Sequence, residues 1–254
     1  METQQRKFNL ITNVTGEPYQ PTRLYYNISN KESVLNIFRK LQCTEFDPSS
    51  DRWYWFYSEE AKKIRFEKSY NKISKESGNI SLGYFIFLDN QTMILEARSF
   101  QRVLAAINFF KTRLNWRIAE PVKLRLINKL FSCSPEEKPE PPSSFAEFFD
   151  QDNKNIVTHN PEDLAKEIEL ISSQHKTETE KDEAIASYMA NKSKRPLSEI
   201  EEITVSVHDH GLSILEMALK MRQIEAWEHW QGNEHFTQHD LIQKILENIP
   251  DHTS

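Results

Sequence analysis

Residues 44–57 read TEFDPSSDRWYWFY, an unbroken run of aromatic rings behind Arg52. The segment Asp47-Pro48-Ser49-Ser50-Asp51 is turn chemistry. Pro presets φ, while Asp and Ser hydrogen-bond to nearby backbone. With Thr44–Phe46 before it and Trp53–Tyr57 after it, the stretch predicts a β-hairpin. Successive side chains of a strand point to opposite faces. Trp53, Trp55 and Tyr57 therefore share one face, and Tyr54 and Phe56 the other. A sheet with helices on one side needs only one aromatic row for its core. The other row meets solvent, another element or a ligand. Exposed rings stack nucleic-acid bases with about 1–3 kcal/mol per base, so Trp53 and Trp55 are candidate stacking residues as well as candidate core.

On either side of this hairpin, strand and helix signals alternate. In RLYYNI (23–28), Leu24, Tyr26 and Ile28 share a face, as in a half-buried strand. Ser29 with Glu32 reads as a capping box, followed by a helical stripe of Val34, Leu35, Phe38 and Leu41. Ser58, Glu59 and Glu60 begin a short helix. ISLGYFIFL and TMILEAR flank Asp89-Asn90-Gln91, a second hairpin. Ser99 caps a helix whose apolar face is Phe100, Val103, Leu104, Ile107, Phe110 and Leu114. Pro121 at a helical N1 position opens a further helix to Phe131. This order predicts an α+β fold: a mostly antiparallel sheet with helices packed on one face, followed by a helical C-terminal region. The stretch LGYFIF, 82–87, resembles over six residues the glycine–aromatic–x–aromatic spacing of the RNA-recognition motif's central strand. It lacks the preceding Lys or Arg, and a strand follows it rather than a helix.

The segment SCSPEEKPEPPSS (132–144) cannot continue a helix or a sheet, because each of its prolines removes an N–H and fixes φ. It divides the chain into residues 1–132, a linker at 133–145, and residues 146–254. The charge divides with it. Residues 1–135 hold 21 Lys/Arg against 13 Asp/Glu, and residues 136–254 hold 11 against 25. The net charges are +8 and −14, so the overall −6 conceals two surfaces of opposite sign. The C-terminal part reads almost wholly helical. Asn160 and Pro161 open a helix to about Ser173, and a short helix surrounds Asp182–Ala190. Ser213 with Glu216 caps a long helix ended by Gly232, and Thr237 with Asp240 caps a last one. On the long helix, Met217, Met221, Trp227 and Trp230 are candidates for contact with a protein partner.

Several function classes are argued against. The chain has five glycines, none clustered, so neither a phosphate-cradling P-loop nor a dinucleotide fingerprint is present. No cofactor is expected. Cys43 and Cys133 stand far apart, which suits a reducing, cytoplasmic setting. METQQRKFNL lacks an apolar leader core, and no window approaches the roughly 18 apolar residues of a membrane span, so no membrane association is expected. His208 with His210, and His235 with His239, lack the converging third donor of a metal site, and no metal is expected. Asp89 with Glu96-Ala97-Arg98 loosely imitates a nuclease acid set. However, Asp89 sits at a hairpin tip and Glu96 about seven residues along the partner strand, too far at ~3.3 Å per residue. The chain reads as non-enzymatic.

One cluster points to a binding role. Arg98, Arg102, Lys111, Arg113, Arg117, Lys123, Arg125 and Lys129 are opposed only by Glu120 between them. On helices with one apolar face, these cations line solvent and attract phosphates through counterion release. An acidic protein surface, or the chain's own acidic half, would fit the same patch. The expectation is a nucleic-acid-associated accessory or regulatory protein, its acidic half recruiting a partner or competing for the basic surface. The alternative is a protein-interaction or assembly adaptor that docks through the long C-terminal helix.

Overall fold

A computed structural model describes residues 10–133, 143–150 and 156–247. Its strands are β1 (Thr22–Ile28), β2 (Thr44–Asp47), β3 (Arg52–Phe56), β4 (Ser81–Phe87), β5 (Thr92–Ala97), β6 (Ala119–Ile127), β7 (Ile156–His159) and β8 (Ile200–Thr204). Its helices are α1 (Lys31–Phe38), α2 (Phe100–Phe110), α3 (Phe145–Phe149), α4 (Pro161–Ser173), α5 (Glu178–Ser193), α6 (Gly211–Trp230) and α7 (Gln238–Glu247). The strands form one eight-stranded sheet in the order β2-β3-β4-β5-β1-β6-β8-β7, antiparallel except at β7–β8. The fold is α+β, as the pattern of elements predicts.

Both hairpins form as read. Asp47 organises the first turn, accepting hydrogen bonds from the Ser49 N–H at 2.9 Å and the Ser50 hydroxyl at 2.7 Å. The tryptophan row is the inner one. Trp53, Trp55 and Tyr57 are all buried. Trp55 packs against Phe109 and Phe110 of α2 at 5.5 and 5.4 Å, and Trp53 against Phe38 of α1 at 5.6 Å. Trp55 is registered opposite Gly83, where a Cβ would fall 2.7 Å from the Glu96 carbonyl oxygen. The assignment of Trp53 and Trp55 as stacking residues is therefore corrected: α1 and α2 cover them. The outer row, Tyr54 and Phe56, is half-buried on the opposite face.

The helix expected from Pro121 to Phe131 is a strand. The run VKLRLI (122–127) alternates apolar and basic, and Leu124 and Leu126 face the core while Lys123 and Arg125 face away. Pro at a first helical position and Pro near the start of a strand look alike in sequence. Here Pro121 sits where the β1–β6 register slips, an irregularity that tolerates its missing N–H.

The almost wholly helical C-terminal half is likewise corrected, since it contributes β7 and β8. In β8, IEEIT, two consecutive glutamates obscure the strand signal. Each is paired. Glu201 takes Arg222 Nε of α6 at 2.8 Å and His159 Nε2 of β7 at 3.1 Å, while Glu202 takes Arg125 Nε of β6 at 2.5 Å. Because β8 pairs with β6, the two halves share one sheet. Ile203, Val205, Val207, Leu215 and Leu219 join the same core cluster as the tryptophans. Most of the proline-rich segment, 134–142, lies outside the described residues. Thr177 and Glu180 form a full capping box that starts α5, which is longer than the short helix expected around Asp182–Ala190. Two other caps shift: Asn30 rather than Ser29 caps α1, and α6 begins at Gly211, ahead of Ser213.

Two stability measurements follow from this packing. Trp55→Ala should cost about 3–5 kcal/mol in chemical denaturation, whereas Tyr54→Ala, from the outer row, should cost about 1 kcal/mol or less. At Glu201, burial disfavours the charge, but the His159 hydrogen bond and the Arg222 guanidinium outweigh it and hold the carboxyl below its ordinary range. Its stabilising effect is thus complete above the unfolded value of about 4.3 and is lost as pH falls through the lower folded value. Glu201→Gln should destabilise by roughly 3 kcal/mol at neutral pH. That difference should shrink toward zero below about pH 4 in thermal melts.

Candidate nucleic-acid interface

The cations expected to line one phosphate-binding surface do not do so. Arg102 is buried. Its guanidinium pairs with Glu17 at 2.6 Å and donates to the Thr15 hydroxyl and the Ser81 carbonyl. It anchors α2 to the N-terminal segment, with its charge already paired to Glu17. Arg113 lies over the Phe109 ring at 3.6 Å, donating to the Phe109 carbonyl. Lys123 and Arg125 pair with Glu202, and Lys129 lies 3.7 Å from Glu199. The acidic half supplies both glutamates. Arg98, Lys111 and Arg117 are exposed. Lys111 and Arg117 line a depression of about 530 Å³ with Trp116, Glu120 and His208, while Arg98 lies on a different surface.

That surface is the sheet face opposite α1 and α2. Strand register brings a row of polar and aromatic residues across it: Tyr54 opposite Tyr84, then Glu96, Arg23, Arg125 and Glu202. A second row runs Ile86, Ile94, Tyr25, Lys123 and Thr204. At the centre, Arg23 Nε donates to Glu96 at 2.7 Å, and its Nη1 reaches Asp150 at 2.5 Å. Asp150 follows α3, which lays Phe145, Phe148 and Phe149 over one part of this face beside Ile127, Phe131 and Ile200. Phe149 sits under Arg23, and Phe145 meets Tyr84 edge-on at 5.8 Å.

The part of the face on β1, β3, β4 and β5 borders an open groove of about 1100 Å³. Tyr25, Tyr54 and Tyr84 line it together with Arg52 and Arg98. Tyr54 stacks on Phe56 at 5.8 Å and tilts against Tyr84 at 5.8 Å. Arg52 lies over the Tyr84 ring at 4.5 Å. Burial pushes the Tyr84 phenol up, reinforced by the Glu96 carboxylate beside it, so it stays a neutral donor across the physiological range. Among the described residues, Arg52 and Arg98 take part in no ion pair, unlike Arg23 and Arg125. Sequence reasoning brought the outer row of the hairpin to this face but missed Arg23, Tyr25, Arg52 and Tyr84. Their signal was present as strand alternation: Arg23, Tyr25 and Tyr84 each stand between two inward residues, Arg52 stands between the exposed turn residue Asp51 and inward Trp53, and only the register joins them.

The helix expected to meet a partner has two apolar faces. Leu215, Leu219 and Ala226 are buried against the molecule. Ile214 and Met217 on the outer side are 67% and 66% exposed. Met221, Trp227 and Trp230 are half-buried. The histidine pairs are apart in role: His208 Nε2 meets Glu120 at 3.0 Å, and His239 Nδ1 lies 3.4 Å from the Ser193 hydroxyl. Of the acids once set together, Asp89 accepts the Gln91 and Thr92 N–H groups of its own turn, and Glu96 is committed to Arg23. Among the described residues, no helix is long and apolar enough to cross a membrane. No family model, curated protein or solved structure matches the chain.

Proposed function

We propose that this chain is a non-enzymatic, nucleic-acid-associated accessory protein that holds a single strand on the open face of its sheet. The observation that carries this reading is the groove itself, where tyrosine rings and the guanidinium groups of Arg52 and Arg98 share one concave surface. Rings offer faces to unpaired bases, and planar guanidinium groups suit phosphate oxygens. A duplex, with its bases already stacked, would engage only the cations. The basic residues first expected to form the interface carry little of this, because half of them, Arg102, Lys123, Arg125 and Lys129, are ion-paired within the fold, and Lys111 and Arg117 line a different depression.

Two cations free for phosphates imply weak, moderately salt-sensitive binding. Arg52→Ala with Arg98→Ala should weaken binding of a short oligo-dT about tenfold at low salt and reduce the salt slope by about 1.4. Fluorescence anisotropy at two ionic strengths reads both. Binding equal to that of the unaltered chain would remove the groove from consideration. The same strand annealed to its complement should bind more weakly.

The outer stripe of α6 favours a second reading, an adaptor that docks the apolar face of a partner helix. Ile214 and Met217 lie about one turn apart on that side. Met217→Asp should leave the melting temperature nearly unchanged because the side chain is exposed. If the stripe pairs with a second copy, light scattering should show concentration-dependent association that this substitution abolishes. A monomer at every concentration would leave only a different protein as the occupant.

A further inference from the structure

We propose that Lys123 and Arg125 form a phosphate subsite at the β6 side of the groove, and that Glu202 occupies it in the free protein. This rests on the groove holding a single strand, and it identifies where a further phosphate of that strand would sit.

The geometry is that of an anion cradle with an anion already in it. Both cations converge on one atom, Glu202 Oε2: Lys123 Nζ at 3.3 Å and Arg125 Nε at 2.5 Å. Both also lie over the ring of Tyr25, at 4.4 and 5.5 Å. Arg125 is held from behind as well, its Nη1 donating to the Phe149 carbonyl at 3.0 Å. Its fork is therefore preorganised, so little side-chain freedom remains to be lost when an anion binds. Tyr25 is the connection to the groove, which it lines. Tyr84 lies on β4 and the cradle on β6, three strand intervals or about 14 Å away, within the reach of a few nucleotides.

Charge decides what the cradle can take. Two cations face one carboxylate, and a phosphodiester carries the same single negative charge with better-matched oxygens. The side chain of Lys123 is 36% exposed and that of Glu202 12%, so the approach is from the lysine side. Glu202 is fixed to β8 by its backbone and can leave only by rotating its side chain. A strand entering the cradle thus competes with the chain's own carboxylate, and binding is weaker than the number of cations on this face would give. A purely structural role for Glu202, fastening β8 to β6, predicts something different: its loss would lower stability and leave binding unaltered.

The test uses the full chain and a short fluorescein-labelled oligo-dT at two ionic strengths. Glu202→Gln keeps an acceptor oxygen and removes the competing charge. It should tighten binding about three- to tenfold at low salt and steepen the salt slope by about 0.7, the single-strand value for one added phosphate contact. Adding Lys123→Ala to that variant should reverse both changes. Glu202→Asp, which draws the carboxylate back toward its strand, should fall between and serves if the glutamine variant folds poorly. Glu169→Gln, an exposed acid on α4, controls for bulk charge and should change nothing. The subsite is overturned if neither Glu202 variant binds more tightly than the unaltered chain, or if Glu169→Gln tightens binding equally. If the Arg52→Ala and Arg98→Ala pair weakens binding while the Glu202 variants match the parent, the subsite alone fails. If nothing binds at either ionic strength, the groove reading fails and the subsite with it.

Discussion

A charge placed in the middle of a sheet face must be wetted or paired, because burying it alone costs several kcal/mol. The face opposite α1 and α2 carries Arg23 and Arg125 side by side in the strand register, and both are largely buried. Much of the molecule's arrangement answers to them. Glu96 comes from the neighbouring strand, Asp150 from the end of α3, and Glu202 from β8. The first is supplied by the hairpin β4–β5, but the other two lie beyond the proline-rich segment. Satisfying these two arginines therefore draws the second half of the chain onto the first. It also fixes which part of the face α3 covers and which part stays open.

The same constraint explains the opposite charges of the two halves. Read from composition, +8 and −14 suggest separate surfaces for separate partners. In the fold, the acids and cations meet across the β6–β8 pair, where a backbone ladder runs alongside the ion pairs. Exposed ion pairs contribute little, but those with restricted access to solvent are costly to leave half-made. The asymmetry is thus in part a device for joining the halves in one register. A basic run in a sequence measures the field a segment would have alone, not the field left after its neighbours have packed.

How far the sequence leads can be argued element by element. The hairpins were legible because their turns carry local chemistry: Asp47 with its serines, and Asp89 accepting two N–H groups. The inward row of β3 was narrowed to two possibilities, and the docking of α1 and α2 chose between them. β6 is ambiguous in sequence because Pro121 is compatible with either a helix start or an irregular strand, and only the alternation of VKLRLI favours the strand. β8 was not legible at all. Its central Glu201 and Glu202 look like solvent-facing residues until Arg222, His159 and Arg125 are brought to them, and none of those is near in sequence. The groove failed to appear for a related reason, since its rings and guanidinium groups come from separate strands.

The aromatic run at 53–57 divides cleanly between these two kinds of information. Trp53, Trp55 and Tyr57 belong to the core because helices supply apolar cover at that spacing. Tyr54 and Phe56 stay half-open because their neighbours on the second face are Tyr84 and Arg52, which can be wetted and need no cover. An apolar row in the same place would have demanded a second helical layer, as the phenylalanines of α3 provide farther along the face. The open groove is therefore where the sheet's outer surface mixes polar-tipped rings and guanidinium groups with aliphatic residues such as Ile86 and Ile94, a lining that is partly wetted. Rings with polar tips and guanidinium groups are stable in that half-wetted condition without a ligand. The same side chains retain the capacity to stack and to hold an anion when one arrives.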